Sequence, residues 1–372
     1  MSKCADLTVG ASWAIQYSMS FRLEPRALSY ALEQLAELLN VPADDVIVES
    51  SEDRVPGLAD ALVRAGDYRF LVEFKARGDA ATVSRSLKQL ATSAEALGRP
   101  AIPLLLVPFM SESGRRMCEE AGAAWLDMSG NASISAPGLR ILLDGRPNRY
   151  KPRGRPANPF APKSARVTRE LLLHPEDWFS QRELARETGL DEGFVSRVVR
   201  RLEEDALLER DRRGALRPAD PDLLLDAWHD VYDFSRHQVL RGHVAARDGD
   251  DLLRRVPDAF RRADVRYAAT GLAAGWLYVH HATFRVASFY VDAPPRDDLL
   301  DDLGFRGDES GSNLWLVVPN DEGVFAGGSD RDGVICASAV QTYLDLKGHP
   351  ERAIEVAAEL RRELLAWTRH GR

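Results

Sequence analysis

Ser196, Arg197, Arg200 and Arg201 alternate with Phe194, Val195, Val198, Val199 and Leu202 along the segment EGFVSRVVRRLEE. At three- and four-residue spacing the apolar set lines one side of a helix and the polar set the other. The planar fork of arginine can hold O6 and N7 of a guanine together, so this outer side has the chemistry to read base edges in a major groove. Arg212 and Arg213 stand between LLER and ALRP, at a tip where guanidinium groups meet phosphate. A second constellation lies upstream: Asp60, then Glu73-Phe74-Lys75, then Gln89. Because side chains alternate along a strand, Glu73 and Lys75 share one face and Phe74 points into a core.

The arginines need a scaffold, and Trp178 to Arg217 supplies one. In QRELARETGL, Leu184, Ala185 and Leu190 fall on one side, Gly189 gives a turn its permissive backbone, and Asp191 caps the next helix. Two short strands around Asp211-Arg212-Arg213-Gly214 follow as a hairpin. Helix, tight turn, helix and wing is the layout of a winged helix-turn-helix. SARVTRELLLHPEDWFSQ supplies its first helix, with Val167, Leu171 and Leu172 against the recognition helix. Trp178 and Phe179 are expected in the core rather than stacked on bases. DPDLLLDAWHDVYDF then forms a helix leaving the module, a connector or a dimer contact, with Leu223, Leu224, Trp228 and Tyr232 on one side. A three-helix packing unit with no ligand shares this core pattern; the basic outer face together with the wing favours DNA.

Residues 20–144 read as helix, strand, hairpin, helix, strand, helix and three further strand segments, an α/β domain. PRALSYALEQLAELL is an amphipathic helix, Gly66-Asp67 splits the hairpin, and AIPLLLVPF has the continuous apolar character of a strand in the middle of a sheet. With Asp60 and Glu73-x-Lys75 in that order, the domain resembles the restriction-endonuclease superfamily and its PD-(D/E)xK motif. The resemblance implies that Asp60 and Glu73 hold Mg²⁺ and that Lys75 positions the attacking water and stabilises phosphate charge. Gln89 takes the place of a supporting Gln, and Glu37 is a further candidate carboxylate. Regulators also keep such a fold without cutting, and a non-enzymatic role is the preferred reading; a metal-dependent deoxyribonuclease is the alternative.

From Gly145 to Lys163 the chain carries Arg146, Arg149, Lys151, Arg153, Arg155 and Lys163 and no acid. Within it Lys151-Pro152-Arg153-Gly154-Arg155-Pro156 resembles an AT-hook. That implies Arg153 and Arg155 follow the narrow, negative minor groove of A·T-rich DNA, with Gly154 at its floor. A plain interdomain linker is the alternative.

After the winged module at 164–233, residues 234–372 form an α+β domain. A strand, the Thr270-Gly271 turn, a helix, VASFYVD, LWLVVP and Tyr343-Leu344-Asp345-Leu346 followed by HPERAIEVAAELRRELL resemble the nucleotidyltransferase-like (AbiEi-like) domain of type IV toxin-antitoxin antitoxins. The resemblance implies an antitoxin-like or defence role and a toxin or other protein partner. Transferase chemistry is not expected, because Leu272 follows Gly271 and Asp292 has no acidic partner two residues away. The adjacent His280 and His281 read as surface or packing residues.

The bulk properties agree with an α/β and α+β multidomain protein. A chain of 372 residues exceeds one ordinary core. Its net charge of −8 excludes a surface coated with nucleic acid but not a local basic footprint. Cys4, Cys118 and Cys336 are too far apart for a zinc knuckle or a disulfide framework. Residues 1–20 read as a loose tail, or as an upstream start ahead of Met19, without a secretory signal, and no apolar run spans a membrane, so a cytoplasmic protein is expected. The expectation is a sequence-specific transcriptional regulator of double-stranded DNA, with paired half-sites making a homodimer natural. It needs no cofactor as a regulator and Mg²⁺ as a nuclease.

Overall fold

The computed structural model describes residues 25–49, 59–98, 100–150, 158–307 and 311–367. The AT-hook-like segment with Arg153 and Arg155, Cys4 and the first twenty residues lie outside them. The chain divides into two units, 1–154 and 155–372.

In the first unit α1 (Pro25–Leu39) precedes β1 (Val46–Val48), β2 (Ala61–Ala65) and β3 (Tyr68–Phe74). Then come α2 (Ala80–Leu97), β4 (Ile102–Val107), α3 (Glu112–Glu120), β5 (Ala124–Asp127), β6 (Ala132–Ala136) and β7 (Leu139–Leu143). The strands form one sheet in sequence order. β1, β2 and β3 pair antiparallel, β3, β4 and β5 parallel, and β5, β6 and β7 antiparallel. Gly66, at φ +57°, makes the turn between β2 and β3. β4 is apolar throughout because both its faces are covered: Leu104 and Leu106 pack with Ala31 and Leu35 of α1, and Leu105 and Val107 with Val83 and Leu90 of α2. α2 starts at Asp79, whose side chain accepts from Thr82 N at 3.1 Å.

The stretch assigned to a linker from Gly145 begins as part of this unit. Arg146 N donates to Asn131 Oδ1 at 2.8 Å, and Arg149 N to Ser129 Oγ at 3.2 Å. Asn131 is itself buried and donates to Asp127 Oδ2 at 2.9 Å, so the first basic residues are tied to a buried polar turn.

The second unit holds a three-helix module and a second seven-stranded sheet. Its helices are α4 (Ala165–Leu173), α5 (Gln181–Thr188) and α6 (Glu192–Glu204), followed by β8 (Leu208–Arg210), β9 (Leu216–Pro218) and α7 (Pro221–Val231). β10 (Gln238–His243), α8 (Gly249–Arg262), β11 (Tyr267–Thr270), α9 (Gly271–Val279) and β12 (Ala287–Val291) come next. α10 (Asp297–Leu303), β13 (Arg306–Gly307), β14 (Leu314–Val318), β15 (Ser329–Arg331), β16 (Val334–Cys336), α11 (Ala339–Leu346) and α12 (Ala353–Leu364) complete it. The sheet runs β13-β10-β14-β12-β11-β16-β15.

Alternation along the sheet assigns its two faces. Tyr267 and Phe289 meet Phe260 of α8, while Thr270 and Tyr290 meet Asp345 of α11. Gly271 is required where it stands: at φ +57°, a Cβ there would lie 2.2 Å from His349 Nε2. α7 packs within the unit. Leu224, Leu225 and Trp228 are buried, and Lys347 Nζ donates to His229 O at 2.7 Å. Cys118 and Cys336 are unbonded and buried, and burial pushes both thiols up to about 12. Among the described residues no helix is long and apolar enough to cross a membrane.

Candidate nucleic-acid interface

α5 and α6 are set by their caps. Ser180 Oγ accepts from Glu183 N at 3.2 Å while Glu183 Oε2 accepts from Ser180 N at 2.7 Å, a reciprocal capping box. α5 stops at Gly189, φ +65°, and Asp191 Oδ1 accepts from Phe194 N at 2.8 Å to start α6 almost at once. Val195, Val198, Val199 and Leu202 of α6 are buried with Leu184 of α5 and Val167, Leu171 and Leu172 of α4. The opposite side of α6 leaves Ser196, Arg197 and Arg200 exposed.

Two of the residues read from the helical pattern sit differently. Phe194 is only half-buried, with Lys163 Nζ at 5.4 Å and the Arg197 guanidinium at 5.6 Å from its ring centroid. Those cations shelter a ring that the apolar stripe does not cover. Arg201 is held to Glu204 Oε2 at 2.9 Å and Asp205 Oδ2 at 3.8 Å, where it braces the last turn of α6.

β8 and β9 pair antiparallel, Glu209 opposite Arg217. Asp211 shapes the tip, its Oδ1 accepting from both Arg213 N and Ala215 N at 2.8 Å, with Gly214 at φ +84°. Arg212 and Arg213 are exposed there. Arg210 grips Glu203 of α6, its Nη2 3.0 Å from Oε2, and donates to Gly214 O at 3.0 Å. Phe179 and Leu216 exchange backbone hydrogen bonds at 2.8 and 2.7 Å, an isolated bridge that ties the chain entering α5 to β9 of the two-stranded wing. Trp178 departs from the core placement expected for it. It is 38% exposed, and the Arg217 guanidinium stacks 4.5 Å from its ring centroid.

In the first unit the fold brings Asp60, Glu73 and Lys75 together. Asp60 Oδ2 accepts from Phe74 N at 2.9 Å, and Lys75 Nζ donates to Glu73 Oε1. Glu73 is 1% exposed, and its Oε2 has no hydrogen-bond partner in the protein. Burial raises its carboxyl above the usual range, Lys75 opposes this, and Asp60 adds to it. Gln89 is exposed on α2, and Glu37 is exposed on α1, where it accepts from Gln34 Nε2 at 3.2 Å. Among the described residues no group of three or more His, Cys, Asp and Glu is arranged to hold a metal. Among the described residues, Mg²⁺ here would rest on Asp60 and Glu73, and the unmet Glu73 Oε2 suits a cation ligand.

A buried polar cluster in the second unit escaped the sequence reading. Asp345, fully buried, accepts from Thr270 Oγ1, Tyr232 OH, Tyr290 OH and Gln341 Nε2, the last at 2.8 Å. Gln341 Oε1 in turn accepts from Arg169 Nη2 of α4 at 2.6 Å. Arg166, one turn earlier, holds Asp321 through Nε and Nη2, both at 2.7 Å. Burial raises Asp345 to about 6 against its four hydrogen bonds, and lowers His237 and His349 to about 4. The available signal was an acid inside the apolar run YLDL and an arginine inside the apolar stripe of ARVTRELLL. His280, His281 and Asp292 are exposed.

No curated protein and no solved structure matches the chain. Residues 162–217, which span the three helices and the wing, match the MarR family. That match supports a winged-helix domain over this segment and suggests a DNA-binding transcriptional regulator.

Proposed function

We propose that this protein is a sequence-specific regulator that binds double-stranded DNA through α6 and its wing. The observation that carries the reading is the division of α6 into a buried apolar side and an exposed side bearing Ser196, Arg197 and Arg200. With α6 in the major groove, Arg197 and Arg200 read base edges, Ser196 adds a hydroxyl, and Arg212 and Arg213 hold the flanking backbone. Selection of bound sequences from a random duplex pool tests it. Enrichment of a defined site is expected, with two half-sites about one helical turn apart if the protein acts as a homodimer. A pool that stays random through successive rounds would remove the sequence-specific reading.

The buried, unmet Glu73 Oε2 favours a second reading, a Mg²⁺-dependent nuclease guided by the same winged helix. Bound Mg²⁺ would supply electrostatic stabilisation of a phosphoryl oxygen. Asp60 and Glu73 would hold it, and Lys75 would orient water beside them. Plasmid incubated with Mg²⁺ or Mn²⁺ should be nicked under this reading, at a rate lowered by roughly 100-fold or more in Lys75→Ala and Asp60→Ala. Intact plasmid with either metal ends it and leaves the regulator.

A further inference from the structure

Among the described residues, the edges of the two seven-stranded sheets are unequal. β1 has three residues, β13 two, and β15 is the polar Ser329–Arg331. β7 has five, LRILL, in unbroken register with β6 and with no proline or bulge to blunt it. An apolar strand of that kind at an edge is a template for a further strand.

The hairpin fixes which backbone groups face outward. Pro137 and Gly138, the latter at φ +77°, form a two-residue turn between the paired Ala136 and Leu139. The residues flanking such a turn are a hydrogen-bonded pair, and bonded pairs alternate with unbonded ones along an antiparallel ladder. Leu139, Ile141 and Leu143 therefore bond β6, while Arg140, Leu142 and the following Asp144 turn their N–H and C=O groups away from it. All of this outward set is exposed, Leu142 at 65%.

Read along the strand, the outward set is Arg-x-Leu-x-Asp, which complements itself when reversed. With a two-fold axis at Leu142, an antiparallel second copy sets Arg140 opposite Asp144, Leu142 opposite Leu142 and Asp144 opposite Arg140. Each is a bonded pair that exchanges two hydrogen bonds. On one face the two leucines meet between opposite charges. On the other, Ile141 of each copy comes opposite Leu143, which lengthens the apolar row that these residues and Leu139 already form against the α1 side of the core. Arg115 and Gly145 N both engage Oδ1 of Asp144, so Oδ2 remains for an incoming guanidinium.

We propose that β7 is a self-pairing edge: a second copy of this chain adds its own β7 antiparallel and joins the sheets of the two first units into one. A single strand edge buries little area, so the dimer exchanges and its population follows concentration. The pairing does not depend on DNA, and a protein that selects no duplex can still show it.

Sedimentation velocity of the full chain without DNA, over about 1 to 100 µM, reads the assembly by mass action. A shift from monomer to dimer across the series is expected. Arg140→Asp and Asp144→Arg each set like charges opposite one another on both sides of the axis, so each should weaken self-association by about tenfold or more. Mixed in equal amounts, the two variants restore opposite charges at both positions and should dimerise with each other as wild type does. That recovery separates the pairing from the loss of the Arg115 contact in Asp144→Arg. Leu142→Pro deletes an outward N–H that β6 does not use, and should abolish the dimer while the melting temperature stays close to wild type. A monomer at every concentration, a dimer that all the variants keep, or a mixture that fails to recover would overturn the proposal.

Discussion

Arg197→Ala and Arg200→Ala are each expected to erase discrimination at one position of the selected site, by about 1 to 3 kcal/mol, or roughly 5- to 150-fold in relative affinity. Both side chains are exposed on α6, and the contact of Arg197 with the half-buried Phe194 ring is worth at most about 1 kcal/mol, so the loss should come with little change in melting temperature. Arg212→Ala should act differently. It removes a contact with the backbone, so selected and scrambled duplexes weaken together and the slope of log affinity against log salt falls by about one. Fluorescence anisotropy with both duplexes across a salt series separates the two patterns. Unchanged affinity in all three variants would take the winged helix out of the mechanism. Arg201 provides a contrast, because its partners Glu204 and Asp205 make its loss a matter of helix stability before DNA is added.

Asp345→Ala is expected to be the most destabilising single change in the second unit. Thr270, Tyr232, Tyr290 and Gln341 all donate to this one buried carboxyl, and its removal strands them without an acceptor. Breaking a buried network of this kind costs about 3 to 5 kcal/mol, a fall in melting temperature on the order of 10 °C. Asp345→Asn keeps the volume but turns an amide donor toward other donors, so it should recover only part of the loss. A fall of less than about 2 °C in Asp345→Ala would mean that the cluster is not holding the sheet to α11.

The same cluster sets a dependence on acid. His237 and His349 are lowered to about 4, so their contribution is complete above about 6.5 and is lost as pH falls through about 4. Asp345, raised to about 6, runs the other way: the fold favours its protonated form, and this contribution is lost as pH rises through about 6. Two histidines outweigh one acid, so wild type should lose stability as pH falls from 6.5 to 4. Asp345→Asn removes the opposing term and should steepen that loss.

What could be read in the sequence was local. Gly189 and Asp191 mark the turn and cap because each acts within four residues, and the α6 core follows from a helical period. The sheet strands around AIPLLLVPF and the hairpin at Gly66-Asp67 were legible for the same reason. Trp178 was misplaced because its cover, Arg217, arrives across the wing; no window of sequence joins the two. Arg169 and Gln341 are farther apart still, and their pairing depends on the docking of α4 against α11. The Asp60, Glu73 and Lys75 grouping was visible because two paired strands enforce it, whereas the place of Gln89, exposed on α2, depends on how that helix packs on the sheet.

Arg210 joins the wing to α6 by gripping Glu203 and reaching Gly214 O in the turn of the same hairpin. On the function proposed here, the arginines that would read bases and those that would hold the backbone are thereby tied to each other through Arg210. A duplex whose groove width carries its phosphates out of their joint reach must bend to fit or be refused, even when every contacted base is correct. On that proposed reading, target choice would extend to flanking base pairs that no side chain touches, read through the stiffness of the DNA itself.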